Sequence, residues 1–155
     1  MQKLATAILS TTLAGGLVLT AAPSSHAATS LRLKALSTAT DQKGDPYRDR
    51  AAGPNAFDCS GLTSYSYKKN GKTLSRTAQG QYNQSSKIAW GKRAKGDLVF
   101  FGTSSKNIKH VGIYVGGDKI LNANSGSYRG YKVVVAPISE YKSGGKKVYI
   151  GRING

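Results

Sequence analysis

His110-Val111-Gly112-Ile113-Tyr114-Val115-Gly116-Gly117-Asp118-Lys119-Ile120-Leu121-Asn122-Ala123-Asn124 reads as two short strands joined by a tight turn. β-Branched and aromatic residues alternate with small or polar ones on both sides of Gly116-Gly117-Asp118, the pattern of a hairpin. Alternation puts Val111, Ile113 and Val115 on the core face and His110, Gly112 and Tyr114 on the other. A three-residue loop at 116–118 sets even-numbered residues opposite even-numbered ones. Asn122 then lies opposite Gly112 and diagonal to His110, about 7–8 Å away, while Asn124 lies directly opposite His110.

The same pattern extends on both sides of the hairpin. Residues 98–101, 131–136 and 147–153 are further short strand runs, separated by turns rich in Gly and Ser. Upstream of Trp90 the pattern is helical. A first helix is expected from Leu31 to about Lys43, capped by Ser30 and ended by Gly44 and Pro46, with Leu33, Leu36 and Ala39 as its apolar positions. Residues 45–57 form a loop. A second helix starts near Asp58 or Cys59 and stops at Asn70-Gly71, burying Leu62 and Tyr65. A polar third helix follows over about 77–85, despite Gly80. Helices gathered first and strands gathered later predict an α+β domain, with N-terminal helices packed on a C-terminal antiparallel sheet.

Met1-Gln2-Lys3, the apolar run from Leu4 to Ala22, Pro23 and Ser25-His26-Ala27 have the layout of a secretory signal cut after Ala27. That leaves residues 28–155 as a single domain, with no second apolar run long enough to span a bilayer. The expected product is a monomer outside the cell or associated with its wall, without stable membrane insertion. The whole chain carries 23 Lys and Arg against 7 Asp and Glu, a net charge of +16. The leader takes away one lysine, Lys3, and no acid, so +15 remains. Such a charge seeks polyanions. The basic residues are scattered, and no element reads as a base-contacting helix or strand, which argues against nucleic acid. Anionic cell-wall polymers are the expected partner, with charge taking the place of a separate wall-binding module.

Small secreted domains usually carry cysteines in even numbers; this one has Cys59 alone. A lone thiol is either a buried filler or a reactive group. Phe57-Asp58-Cys59-Ser60-Gly61-Leu62 places it at a helix start, where unpaired amides and the helix dipole favour the thiolate and offer an oxyanion hole. His26 leaves with the signal, so His110 is the one imidazole that remains to pair with a thiol nucleophile. Either Asn122 or Asn124 would accept the second ring proton and fix the tautomer. Asp58 suits a helix N-cap as well as a substrate contact. Arg76 suits bidentate binding of a substrate carboxylate or simply the start of a helix.

Asp58-Cys59-Ser60-Gly61-Leu62, Gly96-Asp97-Leu98-Val99-Phe100-Phe101 and His110-Val111-Gly112-Ile113-Tyr114, in this order and spacing, resemble the NlpC/P60 family of bacterial cell-wall cysteine peptidases. Pro46-Tyr47 and Arg76-Thr77 also resemble family positions, and the likeness runs from about Leu31 to Ile153. It implies a papain-like α+β fold and cleavage of peptidoglycan stem peptides, typically between D-γ-glutamate and a diamino acid, with no metal or cofactor. It implies Cys59 as nucleophile, His110 as general base and acid, and Asn122 as the orienting residue, where many relatives have His. Tyr47, Asp58, Ser60 and Arg76 match substrate-lining positions. One departure stands out. After Pro46-Tyr47-Arg48 the family continues with an aromatic residue and glycine, and here stand Asp49 and Arg50, which puts the shape of the substrate site in question.

Overall fold

The computed structural model describes residues 25–155; the leader's apolar run and Pro23 lie outside them. Three helices, α1 (Ser25–Thr40), α2 (Cys59–Lys68) and α3 (Ala78–Gln84), precede most of the sheet. The strands are β1 (Ser86–Ile88), β2 (Leu98–Ser104), β3 (Asn107–Gly116), β4 (Lys119–Asn124), β5 (Lys132–Pro137) and β6 (Lys147–Arg152). They form one sheet in the order β1-β6-β2-β3-β4-β5, and every pairing is antiparallel. β2 to β5 run as a meander, and β6 returns to the free edge of β2. Among the described residues no helix is long and apolar enough to cross a membrane.

The sheet is covered on both faces. Phe57, Leu62, Tyr67 and Tyr82 from the helical side pack on Leu98, Phe100, Val111 and Ile113. Val99, Phe101, Tyr114 and Ile120 face the other way and meet Ile138, from a short 3-10 turn at Ile138–Tyr141. Val115, expected on the core face, is only partly buried there, whereas Tyr114 is buried in this second cluster. The 3-10 turn supplied the cover that strand alternation could not foresee.

α1 differs from its expected form. It starts at Ser25 rather than Leu31 and ends at Thr40, with turns carrying the chain to Gly44. Its buried stripe is Arg32, Ala35 and Ala39, while Leu33 is left exposed. The reason is Asp97, fully buried at the entrance to β2, whose carboxylate takes Arg32 Nη1 at 2.8 Å and the Arg152 fork at 2.8 Å on each oxygen. A buried carboxylate requires such partners, so the helix turns an arginine inward and a leucine out. Ser86–Ile88 lie outside every element expected from the sequence and form a strand because β6 offers an edge.

The hairpin register is the even-to-even one expected, with Ile113 opposite Leu121 and Tyr114 opposite Ile120. The turn is shorter than expected. Gly116 pairs with Lys119 across a register shift, and Gly117-Asp118 forms a two-residue turn with φ of 56° and 54°. Positive φ at both central residues suits the right-handed twist of the flanking strands. The β3–β4 ladder stops at Ile113–Leu121, and beyond it β3 pairs with β2 while β4 pairs with β5. The two strands therefore part on the side where His110 and Asn122 lie.

Candidate active site

Asp58 caps α2, its Oδ1 accepting the Gly61 amide at 2.7 Å. The loop before it lies close against the helix. A side chain at Gly61 would place Cβ 2.0 Å from the Ala51 carbonyl oxygen, so only glycine permits the contact. That packing fixes the first turn of α2, with Cys59 as its first residue. Val111 of β3 and Ser60 lie near enough to the sulfur to favour its thiolate. Cys59 thus rests against β3 one residue along the strand from His110.

A β-bulge aims His110. The β2–β3 register passes from Phe101 opposite His110 to Gly102 opposite Ile108, leaving Lys109 as the extra residue. Ile108 and Val111 both stay in the helical-side core, so Lys109 and His110 are turned away from it together. Bulges commonly redirect a side chain in this way beside functional sites. The imidazole packs near Phe101 and stacks on Tyr141, with ring centroids 4.8 Å apart and planes 6° from parallel.

Asn122 is fully buried, and its Oδ1 lies 3.0 Å from His110 Nε2. Its Nδ2 donates to the Val134 carbonyl at 3.2 Å, which settles which end of the amide meets the ring. An acceptor facing Nε2 puts the ring proton on Nε2 and leaves Nδ1 as the basic nitrogen. Asn124 is placed elsewhere. Its amide donates to Gly126 and Gly130 carbonyls at 2.7 and 2.9 Å, and its Oδ1 accepts Tyr141 Oη at 3.0 Å. Asn124 thereby holds the residue that stacks on His110. The parting of β3 and β4 explains why it does not face the imidazole directly.

The other candidate residues gather around Cys59. Tyr47 is tied by its amide to the Tyr131 carbonyl at 2.8 Å, and burial, then the nearby Cys59, raise its hydroxyl pKa. Ser60 is buried, within 3.4 Å of Asp58 Oδ1. Arg76 reaches Asp58 Oδ1 and Oδ2 at 3.0 and 2.7 Å and Ser60 Oγ at 3.0 Å. Its fork is thus engaged by Asp58, which serves as N-cap and ion-pair partner at once. Gln81 and Tyr141 were not singled out in the sequence. Fully buried Gln81 holds the Ser60 and Ser75 carbonyls from α3 at 3.0 and 2.9 Å. A glutamine in a polar helix carries no sequence signal for this.

Asp49 and Arg50 are exposed and paired loosely at 3.8 Å. Arg50 adopts φ +59°, left-handed backbone at the place where the resemblance calls for glycine. Left-handed backbone with a side chain on it costs about 1–2 kcal/mol. Arg50 lines a groove of about 630 Å³ with Asp58, Cys59, Arg76 and Lys109. On the His110 side Lys109 also borders a second cavity of about 490 Å³, with Tyr141, Arg129 and Lys146.

The electrostatics differ from the sequence expectation of a thiolate. Burial pushes the Cys59 pKa up, and Asp58 adds to it; the Val111 and Ser60 hydrogen bonds oppose the rise without cancelling it. Burial lowers the His110 pKa to about 4, with the Lys146 charge acting the same way and Asn122 opposing. Near neutral pH the resting pair is thiol and neutral imidazole. Only the thiolate alkylates, and below its pKa its fraction rises about tenfold per pH unit. The rate of Cys59 alkylation by iodoacetamide is therefore expected to climb steadily from pH 6 to pH 9. A flat rate down to pH 5 would show a thiolate–imidazolium pair instead.

Residues 44–147 match the model of the NlpC/P60 family. The chain is 47% identical over 85 residues to the bifunctional muramidase/DL-endopeptidase CwlT of Bacillus subtilis, covering 53% of this chain and 26% of that protein. It is 41% identical over 98 residues to a probable endopeptidase of Corynebacterium glutamicum, covering 63% and 42%. The chain therefore spans less than half the length of these relatives. Among solved structures, the P60 domain of an M. avium subspecies paratuberculosis antigen superposes with a TM-score of 0.70 at 28% identity, covering 83% of this chain and 98% of that one. RipD of Mycobacterium tuberculosis, described as a non-catalytic NlpC/p60 domain protein, shares the fold at a TM-score of 0.65 and 24% identity, covering 79% and 97%.

Proposed function

The chain belongs to the NlpC/P60 family, and on that premise we propose that it is a secreted peptidoglycan endopeptidase working through Cys59, His110 and Asn122. The observation that carries this reading is the His110–Asn122 contact of 3.0 Å. It frees Nδ1 as a base on β3, next along the strand to Val111, whose backbone favours the Cys59 thiolate. The bond proposed for cleavage joins D-γ-glutamate to a diamino acid. Residues 1–27 act as the export signal; cleavage after Ala27 removes the first three residues of α1 and leaves the helix from Ala28 onward.

The chemistry follows from the neutral pair. As Cys59 Sγ bonds to the amide carbon, its proton passes to His110 Nδ1. The resulting imidazolium is held by Asn122 Oδ1 through Nε2–H, and the oxyanion faces the Cys59 amide at the start of α2, Asp58 already taking those of Gly61 and Leu62. His110 then gives its proton to the departing amine, leaving a thioester on Cys59. Water, deprotonated by His110, attacks the thioester; the carboxylic acid leaves and the thiol is restored. Asp58 and Ser60 line the groove beside Cys59, with Arg76 holding Asp58 in place and Tyr47 close by to meet the substrate.

The test is mass spectrometry of purified stem peptides after incubation with the mature protein. Two fragments whose masses sum to the parent plus one water, one of them starting with the diamino acid, are the expected products. A cut elsewhere would assign another amidase chemistry to the same scaffold. No product from a folded protein would favour a non-catalytic, cationic wall-binding role, the reading to which the exposed Asp49-Arg50 departure points.

A further inference from the structure

A third groove, of about 730 Å³, lies away from Cys59 and is bordered by Trp90, Lys119, Lys142, Lys146, Lys147 and Val148. Its lysines come from separate parts of the chain: the start of β4, the turn after Ile138–Tyr141, and the start of β6. The fold collects what the sequence scatters. The one carboxylate on its border, Asp118, is taken by Arg93. None of the four lysines has an ion-pair partner among the described residues. Four uncompensated cations in one concavity repel one another unless an anion sits among them.

Trp90 adds a second kind of recognition. It is 45% exposed, the Arg93 guanidinium lies 3.9 Å over its ring, and it borders the groove beside the lysines. An exposed indole offers a flat surface to hydroxylated carbon chains or sugar rings. Lysines supply mobile point charges suited to repeated phosphates, whereas planar carboxylates favour arginine forks. Lys146 also borders the cavity beside His110, so the groove leads toward the proposed site.

We propose that this groove binds a polyol-phosphate polymer of the bacterial wall, with Lys119, Lys142 and Lys147 on its phosphodiesters and Trp90 on its carbon backbone. Duplex nucleic acid shares the phosphates but stacks its bases inside, leaving Trp90 no open carbon chain to lie against. The inference rests on charge and shape and not on turnover, so it stands or falls apart from the peptidase reading.

Binding of poly(glycerol phosphate) to the mature protein, measured by calorimetry from about 50 to 200 mM salt, tests it. The triple variant Lys119→Gln/Lys142→Gln/Lys147→Gln is compared with Lys34→Gln/Lys43→Gln/Lys68→Gln, which removes the same charge from the helical side. The groove triple is expected to weaken binding at least tenfold more than the control. It should also flatten the plot of log affinity against log salt by about two to three, close to one per lost phosphate contact. Trp90→Ala should weaken binding with the slope unchanged. Equal losses in the two triples would overturn the proposal by showing diffuse attraction. Duplex DNA binding the groove as tightly, with the same dependence on its lysines, would overturn the choice of polymer. The same isotherm from Cys59→Ala is expected, since a dead nucleophile leaves this groove intact.

Discussion

Cys59→Ala is expected to slow stem-peptide cleavage by on the order of 10⁴–10⁶-fold, the range seen when a covalent nucleophile is lost. Removing the sulfur abolishes the thioester route, and nothing else in the groove replaces it: Ser60 is buried and its hydroxyl accepts Arg76 while lying beside Asp58. His110→Ala should cost nearly as much. The resting thiol is neutral because burial raises its pKa, so without His110 no base takes its proton. Because the two act as a unit, the double variant should be about as slow as either single one. The measurement is product formation by chromatography at pH 7, with peptide binding measured separately. Binding should survive in Cys59→Ala, since the loss falls on the chemical step. A Cys59→Ala protein within tenfold of the parent rate would remove the thiol from the mechanism altogether.

What the sequence made legible was local. The strand alternation around 110–124 fixed the register that brings Asn122 toward His110, and Asp58 before a short apolar run marked the start of α2. The choice between Asn122 and Asn124 was not local. It turns on where the β3–β4 ladder stops, at Ile113–Leu121, which no residue between them announces. Three other features were hidden for similar reasons. The bulge at Lys109 has no glycine or proline of its own to announce it. Tyr141 reaches His110 only because a 3-10 turn follows β5 and Asn124 holds its hydroxyl. The pKa of Cys59 is decided by burial, which a helix-start motif does not reveal.

The Arg50 turn shows a further limit. A charged residue where the resemblance calls for glycine suggests a turn without positive φ, yet Arg50 itself takes left-handed backbone. Packing of the loop on α2 outweighs the local preference. The Asp58 amide donates to Ala51 at 2.8 Å, and Arg76 reaches the same carbonyl at 3.4 Å. What changes is the chemistry of the groove wall, which gains a cation beside Cys59.

Asp97→Ala is expected to cost about 3–5 kcal/mol of folding stability, a large share of the roughly 5–15 kcal/mol that holds a domain of this kind together. The carboxylate accepts four hydrogen bonds, from Arg32 once, from Arg152 twice and from the Ala94 amide, each at 2.8 Å. Arg152 is 26% exposed and can turn toward water, but Arg32 is 7% exposed and would be left as a buried, unpaired cation. That uncompensated charge is the main penalty. Urea unfolding should show the loss as a lower midpoint at unchanged slope. The companion variant Arg32→Leu/Asp97→Ala removes the stranded charge as well and should recover part of the stability. A single-variant loss below about 1 kcal/mol would mean that Arg32 finds water and that the buried triad is not what holds α1. The effect should reach the site. The Asp97 carbonyl accepts the Tyr114 amide at 2.8 Å, and the adjacent Gly96 carbonyl accepts Tyr67 Oη from α2 at 3.2 Å. Residual folded Asp97→Ala should therefore cleave more slowly than the parent, because the same residue that secures α1 also sets how α2 presents Cys59 to β3.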